Sequence, residues 1–103
     1  MMRRALLAAM ALAVLPGTVA HAATHTVSIE GMKFSPAVIT VQAGDTVVWH
    51  NKDIVPHTVT AAGKLDSGTV AAGQRWTWKA TADGRVEYVC TFHPGMKGTV
   101  IVK

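Results

Sequence analysis

One cysteine, Cys90, stands in the whole chain, and that scarcity excludes the usual support of a small exported domain. No intramolecular disulfide can form, so stability has to come from the core or from a bound ligand. A lone thiol in an oxidising compartment is a liability unless it is buried or engaged. Long hydrophobic runs are also missing. The run from Ala5 to Leu15 holds eleven residues, well short of the ~20 that span a bilayer. Arg3 and Arg4 precede it, Pro16 and Gly17 end it, and Ala20-His21-Ala22 follows, which is the pattern of a cleaved export signal. Residues 1–22 are therefore expected to be removed on export, most simply to a bacterial periplasm. What remains, residues 23–103, is long enough for one domain with one small core and has no membrane span.

Charge of either sign is thin. Without Arg3 and Arg4 the chain carries 8 Lys and Arg against 6 Asp and Glu, a net +2. The basic residues are scattered singly and not interleaved with aromatics, which argues against a nucleic-acid partner. Helical patterning is absent too. No stretch of 23–103 sustains an apolar stripe at helical spacing over ten residues.

What is there is alternation. "THTVSIE", "AVITVQ", "TVVWHN", "HTVTA", "RWTWKA", "RVEYVC" and "GTVIVK" each repeat with a period of two, and Gly, Pro and Asp-Gly turns divide them. Short strands at such spacing indicate a β-sandwich or barrel. Trp76 and Trp78 on "RWTWKA" read as large inward fillers of a small core, and Phe34 and Tyr88 likewise.

The chemistry gathers in "EYVCTFHPGMKGTV", residues 87–100. Cys90 ends one expected strand and Gly98 opens the next, with Pro94 and Gly95 bending the loop between them. A thiol, an imidazole (His93) and a thioether (Met96) therefore share one short arc. A second imidazole, His57, follows Pro56 and opens another strand. If the two strand ends lie side by side, one Cys, two His and one Met converge. Thiolate and two imidazoles make a trigonal copper site, and a weakly held axial thioether completes the blue-copper arrangement. Structural zinc draws on two or more cysteines or a Cys2His2 set. A Cys–His nucleophile pair leaves Met96 without a role. A buried hydrophobic Cys90 with a core-filling Met96 leaves the spacing on a Pro-Gly turn unexplained.

These segments resemble the cupredoxins, most closely the amicyanin and plastocyanin group of small blue copper proteins. "GMKFSPAVITVQAGDTVVWHN" is similar to the family's opening strands, "VPHTV" to the element bearing its upstream histidine, and "YVCTFHPGMKGTVIV" to its ligand loop and last strand. Two residues between Cys and His, and two between His and Met, match the short amicyanin-type loop. The resemblance implies an all-β fold, a cupredoxin-like Greek-key β-sandwich of about seven to eight strands. It implies one type 1 copper, with His57 and His93 as nitrogen ligands, Cys90 as thiolate and Met96 as axial sulfur. The implied function is one-electron shuttling between redox partners, with no enzymatic activity; a copper-binding or delivery role is the alternative. Donor and acceptor proteins would dock where His93 reaches the surface within an apolar patch of Pro56, Phe92, Pro94 and Gly95, rimmed by Lys52 and Lys97. The protein is expected to be a monomer.

Two residues depart from the family pattern. Thr58 stands where Asn commonly follows the upstream histidine. Its N–H can still reach the cysteine sulfur, while its side chain, with Thr91, would tie the ligand loops differently and shift the reduction potential. His50 replaces an apolar residue and reads as a solvent-facing strand histidine. His25, near the mature N-terminus, is a candidate for adventitious copper binding. Met32 is expected to be a packing residue.

Overall fold

The structure is a computed structural model and describes residues 21–103; nearly all of the expected signal segment lies outside the described residues. The chain builds β1 (Thr24–Glu30), β2 (Lys33–Ser35), β3 (Val38–Val41), β4 (Thr46–Asn51), β5 (Thr60–Ala61), β6 (Leu65–Asp66), β7 (Arg75–Lys79), β8 (Gly84–Cys90) and β9 (His93–Val102). They form two sheets, ordered β2-β1-β4-β7 and β3-β9-β8-β5-β6, stacked as a β-sandwich. The nine strands among the described residues exceed the seven to eight expected. The additions are β2 and β6, with three and two residues, too short for any alternation to register.

The alternation decides the faces. In β4, Val47, Trp49 and Asn51 are buried while Thr46, Val48 and His50 lie on the other face. β1 supplies Val27 and Ile29, β8 supplies Val86, Tyr88 and Cys90, and β9 supplies Met96, Val100 and Val102 to the same cluster. Trp49 sits at its centre. Its indole N–H donates to the Tyr88 hydroxyl at 3.1 Å, and the two rings meet edge to face at 5.4 Å. Phe34 meets Tyr88 at 4.8 Å and Trp76 meets Trp49 at 5.5 Å. Trp76 and Trp78 are half-buried against this core, as fillers.

Tyr88 pairs with Gly98 across the β8–β9 ladder, and its ring occupies the space that a side chain at position 98 would need. Gly98 is thus required by close approach. Gly98→Ala is expected to force Tyr88 off its rotamer and cost about 1–3 kcal/mol, read as a lower denaturant midpoint with altered tryptophan fluorescence. An unchanged midpoint would show that the ring moves aside freely.

The parallel pair β1–β4 is fastened at its start by Asp45. Its carboxylate accepts from the Ala23 N–H, the Gln42 N–H and the His25 ring, each at 2.9 Å. These donors, the Ala23 amide foremost, pull its pKa down to about 2. A carboxyl depressed in the folded state adds stability that is complete above its ordinary value near ~4 and is lost as pH falls toward the folded value. The metal-free chain should therefore lose stability from about pH 4 to about pH 2, and Asp45→Asn should be less stable at neutral pH with a shallower acid slope. Parallel acid-unfolding curves for the two proteins would remove Asp45 from this role.

Candidate metal centre

At the other end of the sandwich β8 stops, β9 begins, and the segment after β4 turns back. The β8–β9 ladder runs through Tyr88↔Gly98 and Val89↔Lys97, then shifts so that Cys90 faces His93. Pro94, Gly95 and Met96 bulge out of the register. The open loop expected over 91–97 is thus a two-residue turn, Thr91–Phe92, followed by an irregular strand. Pro94 cannot donate to a ladder, and Gly95 lets the backbone bend, so this stretch bulges at the strand end.

His57 arrives from the opposite side. It is held by an isolated bridge to Val70, with N–H to carbonyl distances of 3.1 and 2.7 Å. The backbone of His57 bonds to Val70 and that of Val59 to Ser67, while the Thr58 N–H turns to the Cys90 sulfur, which confines β5 to Thr60–Ala61 instead of the longer strand expected. Asn51 sets the path into this turn. Fully buried, its amide donates to the Val55 and Val70 carbonyls at 2.9 Å, and its side-chain oxygen accepts the Asp53 N–H at 2.9 Å.

The result brings distant donors together. The Nδ1 atom of His57 lies 3.6 Å from Sγ of Cys90. An ion bound at ~2.3 Å to sulfur and ~2.0 Å to nitrogen, with angles between tetrahedral and trigonal, sets such donors about 3.5–3.8 Å apart. The His57 and His93 ring centroids are 5.4 Å apart, and two imidazoles sharing one ion at those bond lengths have centroids about 5–5.5 Å apart. Met96 is buried in the same cluster as Cys90. Among the described residues no three His, Cys, Asp or Glu side chains close up into a metal cluster, so the fit rests on these two separations and on the donor chemistry.

The sulfur is prepared for ionisation. Burial pushes the Cys90 thiol up, but the Thr58, Phe92 and His93 N–H groups outweigh it and leave the pKa below its ordinary value. The Thr58 N–H lies 3.3 Å from the sulfur. The thiolate is the metal-binding form, so this environment favours ligation. Around it the threonines form a strap. Thr58 Oγ1 accepts from the Thr91 N–H at 2.8 Å and from the Thr60 hydroxyl at 3.0 Å. With both lone pairs used, its own hydrogen is left for Thr91 Oγ1 at 3.1 Å.

Asp53 was not legible as a site residue. Its carboxylate lies 2.8 Å from Nε2 of His57. Burial opposes its ionisation, but N–H donation from Met32, Gly31 and His57 prevails and lowers its pKa. An acid four residues before a ligand-type histidine, as in "DIVPH", is the signal that would have found it.

The two histidines differ in exposure. His57 is fully buried, whereas His93 is half-buried and borders an apolar surface with Met32, Val55, Pro56 and Phe92. Pro94 and Gly95 are exposed next to it in the chain. Met32 corrects the expectation of a packing residue: it is 42% exposed on this surface. The β1–β2 turn that carries it has positive φ at both Gly31 and Met32, which no alternation pattern encodes. His50 stays outside the site, on the outer face of β4 opposite Arg75. His25 is engaged by Asp45 at the far end of β1.

The cupredoxin-like domain family matches residues 3–102. Amicyanin-alpha of Methylorubrum extorquens is 33% identical over 90 residues, covering 82% of this chain and 76% of the relative. Amicyanin of Paracoccus versutus is 35% identical over 83 residues, covering 75% of this chain and 63% of the relative. A chloroplastic plastocyanin of Tetradesmus obliquus is 37% identical over 84 residues, covering 68% of this chain and 58% of that protein. Among solved structures, a Cu(I) form of an amicyanin variant superposes with a TM-score of 0.74 at 30% identity, covering 78% of this chain and 82% of that one.

Thr58→Val keeps the N–H beside the sulfur and removes the hydroxyl on which the threonine strap converges. It is expected to cost about 0.5–1.5 kcal/mol, because the part-buried Thr91 N–H loses its acceptor. Chemical denaturation measures this, and a loss below a few tenths of a kcal/mol would mean that the strap contributes nothing.

Proposed function

Because the chain belongs to the cupredoxin-like family, with amicyanins and plastocyanins among its relatives, we propose that it is a type 1 copper protein that shuttles single electrons between redox partners. The carrying observation is the buried Cys90 sulfur with His57 Nδ1 at 3.6 Å and the Thr58 N–H at 3.3 Å. Its cofactor is one copper per chain, held by His57 through Nδ1, by Cys90 through Sγ, by His93, and by Met96 as the axial sulfur. Bound there, copper supplies a Cu(I)/Cu(II) couple.

The protein's own contribution is a donor set that moves little. Cys90 and His57 are fully buried and Met96 nearly so, with Cys90 held in the β8–β9 ladder and His57 in the bridge to Val70. The four donors occupy the site themselves, which supports a carrier and not an enzyme. His93 is the edge through which an electron leaves. The surrounding Met32, Val55, Pro56 and Phe92, with Pro94 and Gly95, give a donor or acceptor protein an apolar face to press against. Exposed Lys52 and Lys97 lie close in sequence to that face and bias the approach toward acidic partners. The protein works as a monomer in the periplasm after loss of residues 1–22. Arg3, Arg4 and the apolar run to Leu15 support that route, and among the described residues no helix is long and apolar enough to cross a membrane.

Adding Cu(II) to the protein from residue 23 onward should give an intense visible band and a type 1 EPR signal, with a reversible one-electron wave. A colourless oxidised sample would overturn the reading. A site that exchanges Cu(I) freely and shows no reversible couple would assign it to copper delivery instead. Cys90→Ser should abolish the colour and leave the fold intact by circular dichroism. Met96→Leu should keep the colour and raise the potential, each tenfold loss of preference for Cu(II) reading as about 59 mV. An unmoved potential would remove Met96 from the axial position.

A further inference from the structure

Asp53 stands where three separate parts of the fold meet. One carboxylate oxygen accepts the Gly31 N–H at 2.7 Å, and the other accepts the Met32 N–H at 3.1 Å and faces Nε2 of His57 at 2.8 Å. The side chain is only 14% exposed, and its own N–H is fixed on the Asn51 side chain, itself fully buried. It therefore reaches these partners from an anchored position.

Two consequences follow. An ionised carboxylate only accepts hydrogen bonds, so the proton of the neutral His57 ring must sit on Nε2. The lone pair is then on Nδ1, the atom aimed at Cys90. The second consequence lies in the β1–β2 turn. Glu30 pairs with Lys33 across a two-residue connection whose φ angles are +64° at Gly31 and +62° at Met32. Glycine adopts this conformation freely, whereas methionine pays about 1–2 kcal/mol for it. The two N–H groups that the turn directs outward are the ones Asp53 accepts, which offsets that cost. Met32 is thereby held at the apolar surface beside Phe92 and His93.

We propose that Asp53 is the positioning residue of the site: one carboxylate sets the tautomer of His57 and holds Met32 on the contact face, so that the metal ligand and the docking surface are fixed as a unit. The inference rests on the reading of His57 as a copper ligand. It goes beyond that reading by assigning a role to a residue that touches neither copper nor partner.

Two variants test the role, since one oxygen serves both His57 and Met32. Asp53→Ala removes both supports, and Asp53→Glu restores a carboxylate. The first measurement needs no variant: 15N NMR of the metal-free protein should show neutral His57 protonated on Nε2. The Nδ1–H tautomer in the native protein would overturn the proposal. In Asp53→Ala the Nδ1–H tautomer should appear and copper affinity should fall about 10- to 100-fold, with both reversed in Asp53→Glu. Amide exchange at Gly31 and Met32 should rise at least ~10-fold in Asp53→Ala, as expected when a ~1.4 kcal/mol hydrogen bond is lost, and return toward native in Asp53→Glu. An unchanged tautomer and affinity, or unchanged exchange, in Asp53→Ala would overturn it. A native protein that takes up no copper would instead sink the functional reading, while the tautomer and exchange results still judge Asp53 by themselves.

Discussion

A sulfur that must be ionisable and buried at once is the constraint from which this structure follows. Cys90 is fully enclosed at the end of β8, where burial alone would keep it a neutral thiol. The compensation comes from backbone N–H groups, and a backbone donor cannot be supplied without bringing its whole segment along. Thr58 has to lie against Cys90 across thirty-two residues of chain, and that single requirement seats His57 beside the sulfur. The bridge to Val70, the strap through Thr60 and Thr91, and the Asn51 amide on the Val55 and Val70 carbonyls all hold this one approach in place. The approach of His57 to the sulfur therefore follows from solving a desolvation problem.

The two sheets divide the labour. β8 and β9 present Cys90, His93 and Met96 from one ladder, while the segment leaving β4 supplies Asp53 and His57. The aromatic core of Trp49, Tyr88 and Phe34 lies between the sheets and sets their separation. Tyr88 faces the same core as Cys90, two residues further along β8, and β9 places a glycine, Gly98, opposite it: the ring needs the space, and the ladder needs the register.

Much of this was legible in the chain, and what was missed has a physical reason. The alternation of "TVVWHN" and "RVEYVC" reports faces directly, because a strand's period of two writes burial into composition. Cys90, His93 and Met96 stood out because soft donors rarely crowd a Pro-Gly turn, and the separations among His57, Cys90 and His93 agree with that reading. Asp53 and Asn51 did not stand out. Much of their importance lies in partners twenty or so residues away, such as Gly31 and Val70, where contact leaves no local pattern; only the four-residue spacing of Asp53 and His57 is local. Met32 was misjudged for a related reason: its exposure follows from a left-handed backbone conformation that methionine seldom adopts.

The two Asp–His pairs make the final distinction. Asp45 with His25 and Asp53 with His57 show nearly the same separation, 2.9 and 2.8 Å, at opposite ends of the β1–β4 pair. By chemistry alone they are equivalent, yet only one belongs to a site. His25 is partly exposed, and its carboxylate otherwise serves the Ala23 and Gln42 amides, so the pair ends in a strand clamp. His57 is wholly buried and its second nitrogen looks at a sulfur. A carboxylate that fixes one ring nitrogen creates function only where the other nitrogen has something to bind. Among the described residues that condition is met at one place, and the buried thiol of Cys90 is what meets it.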